Sequence, residues 1–177
     1  MINQDKINEV LLYASIKHGK QKMKQPDVSY VTHLQGVCLE AISGCLNSDD
    51  ASIDLEKVII LALLHDTIED TDATYEDVKD RFGKSVADGV LALTKNYSLA
   101  HEEQMPDSLK RIKEQGKEVA IVKLSDRIFN LKEIPCKWDE NKVNSYREQA
   151  KLILNELGYA SEYLANRLSE KIGKYHL

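Results

Sequence analysis

The chain has 177 residues, 42% of them apolar, and a formal net charge of −5. That is enough apolar chain for one real core and too much for a disordered segment. The acidic balance argues against a general nucleic-acid or membrane surface, and no apolar run approaches the roughly 20 residues a bilayer span needs.

The polar start, Met1 to Lys6, lacks the apolar centre of a signal peptide. Cys38, Cys45 and Cys136 are odd in number and form no CxxC pair, so neither a disulfide framework nor a zinc ribbon is expected. Cys38 and Cys45, seven apart on one helix face, read as small apolar residues in a reducing cytoplasm. The expected location is cytoplasmic, with a small-molecule partner and neither nucleic acid nor membrane; the sequence does not give the oligomeric state.

Strand-type alternation is rare, and the chain reads as all-α and as one domain over residues 1–177. Ile7, Val10, Leu11 and Ala14 form the stripe of a first helix ending near Gly19. A lysine-rich link runs from Lys20 through Pro26 to Ser29. Residues 30–46 make a second helix. Asp54 is a helix N-cap, and residues 54–70, free of Gly and Pro, read as one continuous third helix. Thr74 starts a fourth and Phe82-Gly83 stops it. A fifth covers about 84–95. Residues 96–116, polar and broken by Pro106, read as a mobile helix or loop. A helix over 117–133 is expected to end at Pro135, and two more follow over about 139–157 and 159–175.

The chemistry gathers at the end of the third helix. The apolar run Val58 to Leu64 stops at His65-Asp66, and Glu69-Asp70 follows one turn on. In a continuous helix His65 and Glu69 share a face, as do Asp66 and Asp70. Carboxylates at a core boundary repel one another and resist desolvation unless something cationic joins them. His33 in the second helix and Asp126 in the later one are further candidates. Two imidazoles and two carboxylates suit Mn, Fe, Co or Zn better than Mg. Read singly, each has an ordinary alternative: His33 as a hydrogen-bonded structural histidine, Glu69 and Asp70 as a solvated helix end, Asp126 as a surface partner of Arg127.

Together, His18-Gly19-Lys20-Gln21, Tyr30-Val31-Thr32-His33, the run Ala62 to Asp72 with its HDxxEDT core, Phe82-Gly83 with Leu93-Thr94-Lys95, and Val122 to Leu131 with KLxDRxxNL resemble the HD-domain metal-dependent phosphohydrolases. The likeness is nearest to the hydrolase domain of the Rel/Spo homologues, in a small stand-alone form, over about residues 5–160. It implies an HD-domain helical bundle with the metal site in its core. It implies Mn²⁺, or another divalent transition metal, held by His33, His65, Asp66 and Asp126. Glu69 and Asp70 become the catalytic acidic pair, and Asn130 joins the nucleotide site. The implied reaction removes the 3′-pyrophosphate of ppGpp or pppGpp, giving GDP or GTP and pyrophosphate. Met23 stands where the family usually has arginine, and Leu34 where it favours proline. Two alternatives therefore stay open: another nucleotide substrate, such as a nucleoside monophosphate or NADPH, and a metal- and nucleotide-binding regulatory module without turnover. Lys17, Lys20, Lys22 and Lys24 form a local basic cluster that suits a polyanion. Lys22 and Lys24 from it, with Lys95, Lys123, Arg127 and Tyr146, complete the expected substrate contacts.

Overall fold

The computed structural model describes residues 2–24 and 27–176; residues 25 and 26 of the predicted link lie outside the described residues. The elements are α1 (Gln4–His18), α2 (Val31–Leu46), α3 (Leu55–Leu64), α4 (Thr67–Asp70), α5 (Tyr75–Phe82), α6 (Lys84–Leu93), α7 (His101–Gln115), α8 (Lys117–Asn130), α9 (Glu140–Leu157), a 3₁₀ turn at Gly158–Ala160, and α10 (Glu162–Lys174). The described residues hold no strand, only an isolated bridge between Lys22 and Ser29. None of their helices is long and apolar enough to cross a membrane.

Helix α3 is the axis. Every residue from Val58 to Leu64 is buried, so it is enclosed on all sides rather than along one stripe. Side chains of this kind contribute about 1.5–3 kcal/mol each when taken from water. Helices α2 and α8 pack on α3 and on each other. Their approach depends on Gly36: a Cβ there would fall 1.9 Å from Cε2 of Phe129 on α8. The three helices that carry His33, His65 and Asp126 thus form the innermost layer of the bundle.

The helix starts follow the sequence closely. The Asp54 side chain accepts from the Lys57 amide at 3.1 Å, and Thr74 and Asp77 form a reciprocal capping box. Two expectations need correction, and of the two readings of residues 96–116 the helix holds. Residues 54–70 are not one helix: α3 stops at Leu64, Asp66 adopts φ −100° and ψ 0°, and α4 starts afresh at Thr67. The His65 ring accompanies the break: its Nδ1 lies 2.8 Å from the Ala62 carbonyl and competes with the backbone for it. Residues 101–115 form a full helix, docked on the core by buried Met105, Leu109 and Ile112, with Pro106 on the exposed side. Helix α8 ends at Asn130 rather than 133, closed by the Leu131 amide donating to the Arg127 carbonyl at 3.0 Å.

Candidate functional site

Four donor atoms from three helices converge. Nε2 of His33, on the first turn of α2, lies 3.1 Å from Nε2 of His65, just past α3. Oδ2 of Asp66 is 3.3 Å from the first ring and 3.0 Å from the second. Oδ1 of Asp126, on α8, is 3.5 Å and 3.8 Å from the same nitrogens. His33, His65 and Asp66 form a group able to hold a metal ion. Donors about 2.0–2.2 Å from one ion sit about 3–3.5 Å from each other, close to the spacings among His33, His65 and Asp66, while Asp126 stands outside that group. Two facing imidazole lone pairs beside two carboxylates are stable only with a positive species among them, so the donor set fits a divalent cation.

Each ligand candidate has a further partner, and Tyr30 and Asn130 donate to the same carboxylate oxygens that face the rings. The Nδ1–H of His65 donates to Ala62, which leaves Nε2 toward the centre. The Tyr30 hydroxyl donates to Asp66 Oδ2 at 2.5 Å. Asn130 Nδ2 donates to Asp126 Oδ1 at 2.5 Å, and Lys123 Nζ to Oδ2 at 3.3 Å. Phe129 meets the His33 ring edge-on at 5.3 Å.

Glu69 and Asp70 lie on α4, beyond the break. The Asp70 amide donates to the Asp66 carbonyl at 2.8 Å, so the 66–70 turn is helical. Glu69 is tied to the chain after α6. It accepts from Lys95 Nζ, from the Lys95 amide at 2.9 Å and from the Tyr97 hydroxyl at 3.0 Å. Asp70 Oδ2 accepts from Gln21 Nε2 at 3.2 Å.

Beside the centre lies a cleft of about 740 Å³, whose lining includes His33, Tyr30, Phe129, Asn130, Met23, Lys24, Trp138, Tyr146 and Tyr175. A smaller cleft of about 310 Å³ shares Lys24, Trp138 and Tyr146 and adds Lys95, Tyr97, His101 and Lys142, among others. Lys24 Nζ sits 4.7 Å and Lys142 Nζ 5.7 Å from the Trp138 ring centre. The walls are therefore aromatic and the rim cationic, a combination that suits a planar base carrying phosphates. Of the expected substrate contacts, Lys24, Lys95, Asn130 and Tyr146 reach these clefts. Lys22 is exposed and lines neither. Lys123 is turned to Asp126. Arg127 is buried beneath Tyr146, its guanidinium 4.0 Å from the ring centre, and donates to the Tyr146 carbonyl at 3.2 Å.

A family model described as HD domain matches residues 11–168. The chain belongs to the HD-domain family. Guanosine-3′,5′-bis(diphosphate) 3′-pyrophosphohydrolase MESH1 of Drosophila melanogaster is 32% identical over 170 residues, 93% of this chain and 92% of that protein. A guanosine-3′,5′-bis(diphosphate) 3′-pyrophosphohydrolase of Aquifex aeolicus is 31% identical over 97% of this chain, which spans 24% of it. A solved structure of a metazoan ortholog of SpoT that hydrolyzes ppGpp superposes with a TM-score of 0.84 at 29% identity, covering 98% of this chain and 97% of that one.

His65 and Asp66, adjacent in the sequence, sit at the middle of the group. Burial opposes a charge on His65, but Asp66, Asp126 and the Ala62 carbonyl together outweigh it and push its pKa up to about 9. Burial likewise opposes the charge on Asp66, yet the His65 and His33 rings hold it well below the usual carboxylate range. Asp126 is depressed against its own burial, chiefly by Lys123 and then His65. Partial desolvation and the Asp66 charge raise Asp70. Sequence reasoning left Gln21, Tyr30, Tyr97, Trp138 and Lys142 without roles. Tyr30 stands three residues before His33, one turn away at the mouth of α2, and Trp138 is the single tryptophan of the chain. Those were the available signals.

Proposed function

We propose that this HD domain is a manganese-dependent phosphohydrolase that removes the 3′-pyrophosphate of ppGpp or pppGpp, with GDP or GTP and pyrophosphate as products. The observation that carries the reading is the gathering of His33, His65 and Asp66, with Asp126 beside them, next to an aromatic, lysine-rimmed cleft that His33 lines. The names of the relatives support the same substrate. His33, His65, Asp66 and Asp126 would hold Mn²⁺, or another divalent transition metal, which when bound lowers the pKa of water and withdraws charge from a phosphoryl oxygen.

The chain's own residues would do the rest. The guanine lies among Trp138, Tyr146 and Phe129, with the ribose toward Asn130. Lys24 and Lys95 neutralise phosphate charge, and Lys142 adds to the rim. Water attacks the phosphorus bonded to the ribose 3′ oxygen, the bond between them breaks, and pyrophosphate leaves. Glu69 and Asp70 divide two proton tasks: one takes the proton of the attacking water and the other returns a proton to the 3′ oxygen. The raised pKa of Asp70 suits it to hold a proton near neutrality better than an ordinary aspartate would.

Metal analysis of the purified protein and identification of products from ppGpp with Mn²⁺ test this directly. Asp66→Ala is expected to lose both metal and turnover. Glu69→Ala keeps the metal and loses turnover. Activity in metal-free Asp66→Ala protein would defeat the assignment. Met23 in the larger cleft motivates the competing substrates, so the panel includes NADPH and nucleoside monophosphates. Inertness towards ppGpp beside turnover of one of these moves the substrate and leaves the metal chemistry in place. Bound nucleotide that is never hydrolysed, with the metal present, would instead mark a regulatory module.

A further inference from the structure

We propose that His18 and Gln21 form a two-residue positioning relay that sets the place and orientation of the Asp70 carboxylate. It rests on the reading of Asp70 as one of the two proton-handling groups.

The sequence places both residues at the end of α1. Gly19, at φ 48°, turns the chain out of the helix, and the Gln21 amide then donates back to the His18 carbonyl at 2.8 Å. The Gln21 carbonyl accepts the Tyr30 amide at 3.0 Å, which seats this segment against the start of α2. The His18 ring is buried and stacks on Tyr30, centroids 4.9 Å apart and planes 22° from parallel. Tyr30 in turn donates to Asp66, so one stack backs both the metal side and the proton side of the site.

The polarity of the relay follows from its two bonds. His18 Nδ1 lies 2.7 Å from Gln21 Oε1, and Gln21 Nε2 lies 3.2 Å from Asp70 Oδ2. A glutamine amide is nearly symmetric in shape, and only its partners decide which end faces which way. With a proton on His18 Nδ1, the ring donates to Oε1 and the amide is forced to present N–H to Asp70. The reverse amide would set its oxygen against a carboxylate. The other His18 nitrogen, Nε2, is buried with no partner, and an unpaired acceptor is easier to leave in a dry site than an unpaired N–H. The arrangement thus selects one tautomer and, through it, one amide orientation. Neither residue lines the two clefts; Gln21 meets the proton-handling pair directly at Asp70, and Mn²⁺ affinity separates that route from one through Tyr30 and Asp66.

The test is a double-mutant cycle on steady-state turnover, using whichever nucleotide the wild-type protein hydrolyses, together with Mn²⁺ affinity. Gln21→Leu is expected to lower kcat about tenfold, with KM and metal affinity unchanged within about twofold. His18→Phe keeps a buried, stacked ring without the donor and should lower kcat by a similar factor. The pair combined should be no worse than Gln21→Leu alone, because both cut one chain. His18→Asn, which restores a donor near the Nδ1 position, should recover most of the loss. Multiplying effects, wild-type kcat in Gln21→Leu, or losses in metal affinity instead of kcat would overturn the relay. If His18→Phe does not fold, Gln21→Leu and Gln21→Asn decide by kcat alone. Crystal structures of wild type and Gln21→Leu give a readout independent of any substrate: the relay requires the Asp70 carboxylate to turn away from its place, and an unmoved carboxylate rejects it.

Discussion

Binding of a divalent cation to this centre should release close to one proton at neutral pH. The perturbed group is His65. Its Nδ1–H is committed to the Ala62 carbonyl, so the atom that titrates is Nε2, the one facing the other three donors. With a folded-state pKa of about 9, the ring is charged in about 30 molecules for each neutral one near pH 7.5. A metal ligand must be neutral, so the cation has to displace that proton. Apparent affinity should therefore tighten almost tenfold per pH unit, about 1.4 kcal/mol, up to about pH 9 and then level off. The assay is calorimetric titration of Mn²⁺ in buffers of low and high ionisation enthalpy, where the slope of observed heat on buffer heat counts protons. A slope near one is expected at about pH 7.5, falling in Asp126→Asn, which removes one of the charges that raise His65. Stoichiometric binding with a slope near zero would refute the reasoning.

The same shift fixes the sign of stability in the metal-free protein. His65 rises from 6.5 to about 9 on folding. Its contribution is fully present below pH 6.5 and is lost as pH rises through about 9. The full shift is worth on the order of 3 kcal/mol, and the depressed Asp66 is the same interaction seen from its other partner, counted once. Metal-free protein should thus melt lower at alkaline pH, and saturating Mn²⁺ should remove most of that dependence.

The remaining predictions concern the cleft and the helix contact behind it. Trp138→Ala removes an aromatic wall shared by both clefts and should raise KM about tenfold with kcat nearly intact, since base stacking is worth about 1–3 kcal/mol; an unchanged KM in steady-state assays would show that the base lies elsewhere. Gly36→Ala would gain about 1 kcal/mol of helix propensity but forces the Phe129 ring off its place, at an overpacking cost of about 1–3 kcal/mol. Calorimetry should show Tm unchanged or lower by a few degrees, and Mn²⁺ titration a weaker affinity, because Phe129 supports the His33 ring; a raised Tm with unaltered affinity would contradict this.

Much of the bundle was legible because its signals are local. Caps at Asp54 and Thr74, the stop at Gly83 and the uninterrupted apolar run of α3 each act within a few residues. The break at His65 was not legible, since no Gly/Pro signal marks it and the His65 contact with the Ala62 carbonyl that accompanies it is a detail of the folded structure. The helix at 101–115 carried a readable stripe, Met105, Ser108, Leu109 and Ile112 at positions 0, 3, 4 and 7, which the polar composition and Pro106 obscured. At the site, the residues that face the centre stood out by type. Their supports stood out less: Asn130, one turn on from Asp126, was a candidate, but Gln21 and Tyr97 meet their carboxylates only through tertiary packing.

Those supports share a chemical character that bears on how the site works. Four carboxylates, Asp66, Glu69, Asp70 and Asp126, crowd one region, and each is gripped by a donor. Tyr30, Tyr97, Gln21 and Asn130 are neutral donors; Lys95 and Lys123 bring charge, and so does the His65 ring beside Asp66 before a metal binds. A neutral donor fixes a carboxylate in place without cancelling its charge, whereas an arginine or lysine would do both. Had every acid been paired with a cation, the centre would be electrically satisfied and its affinity for a divalent ion small. Gripping the acids partly through hydroxyls and amides keeps the geometry rigid and leaves four carboxylates facing fewer cations, Lys95, Lys123 and the charged His65 ring, whose proton a metal ion would replace. The pairing pattern therefore favours a site built to receive a cation over one built as a structural ion-pair network.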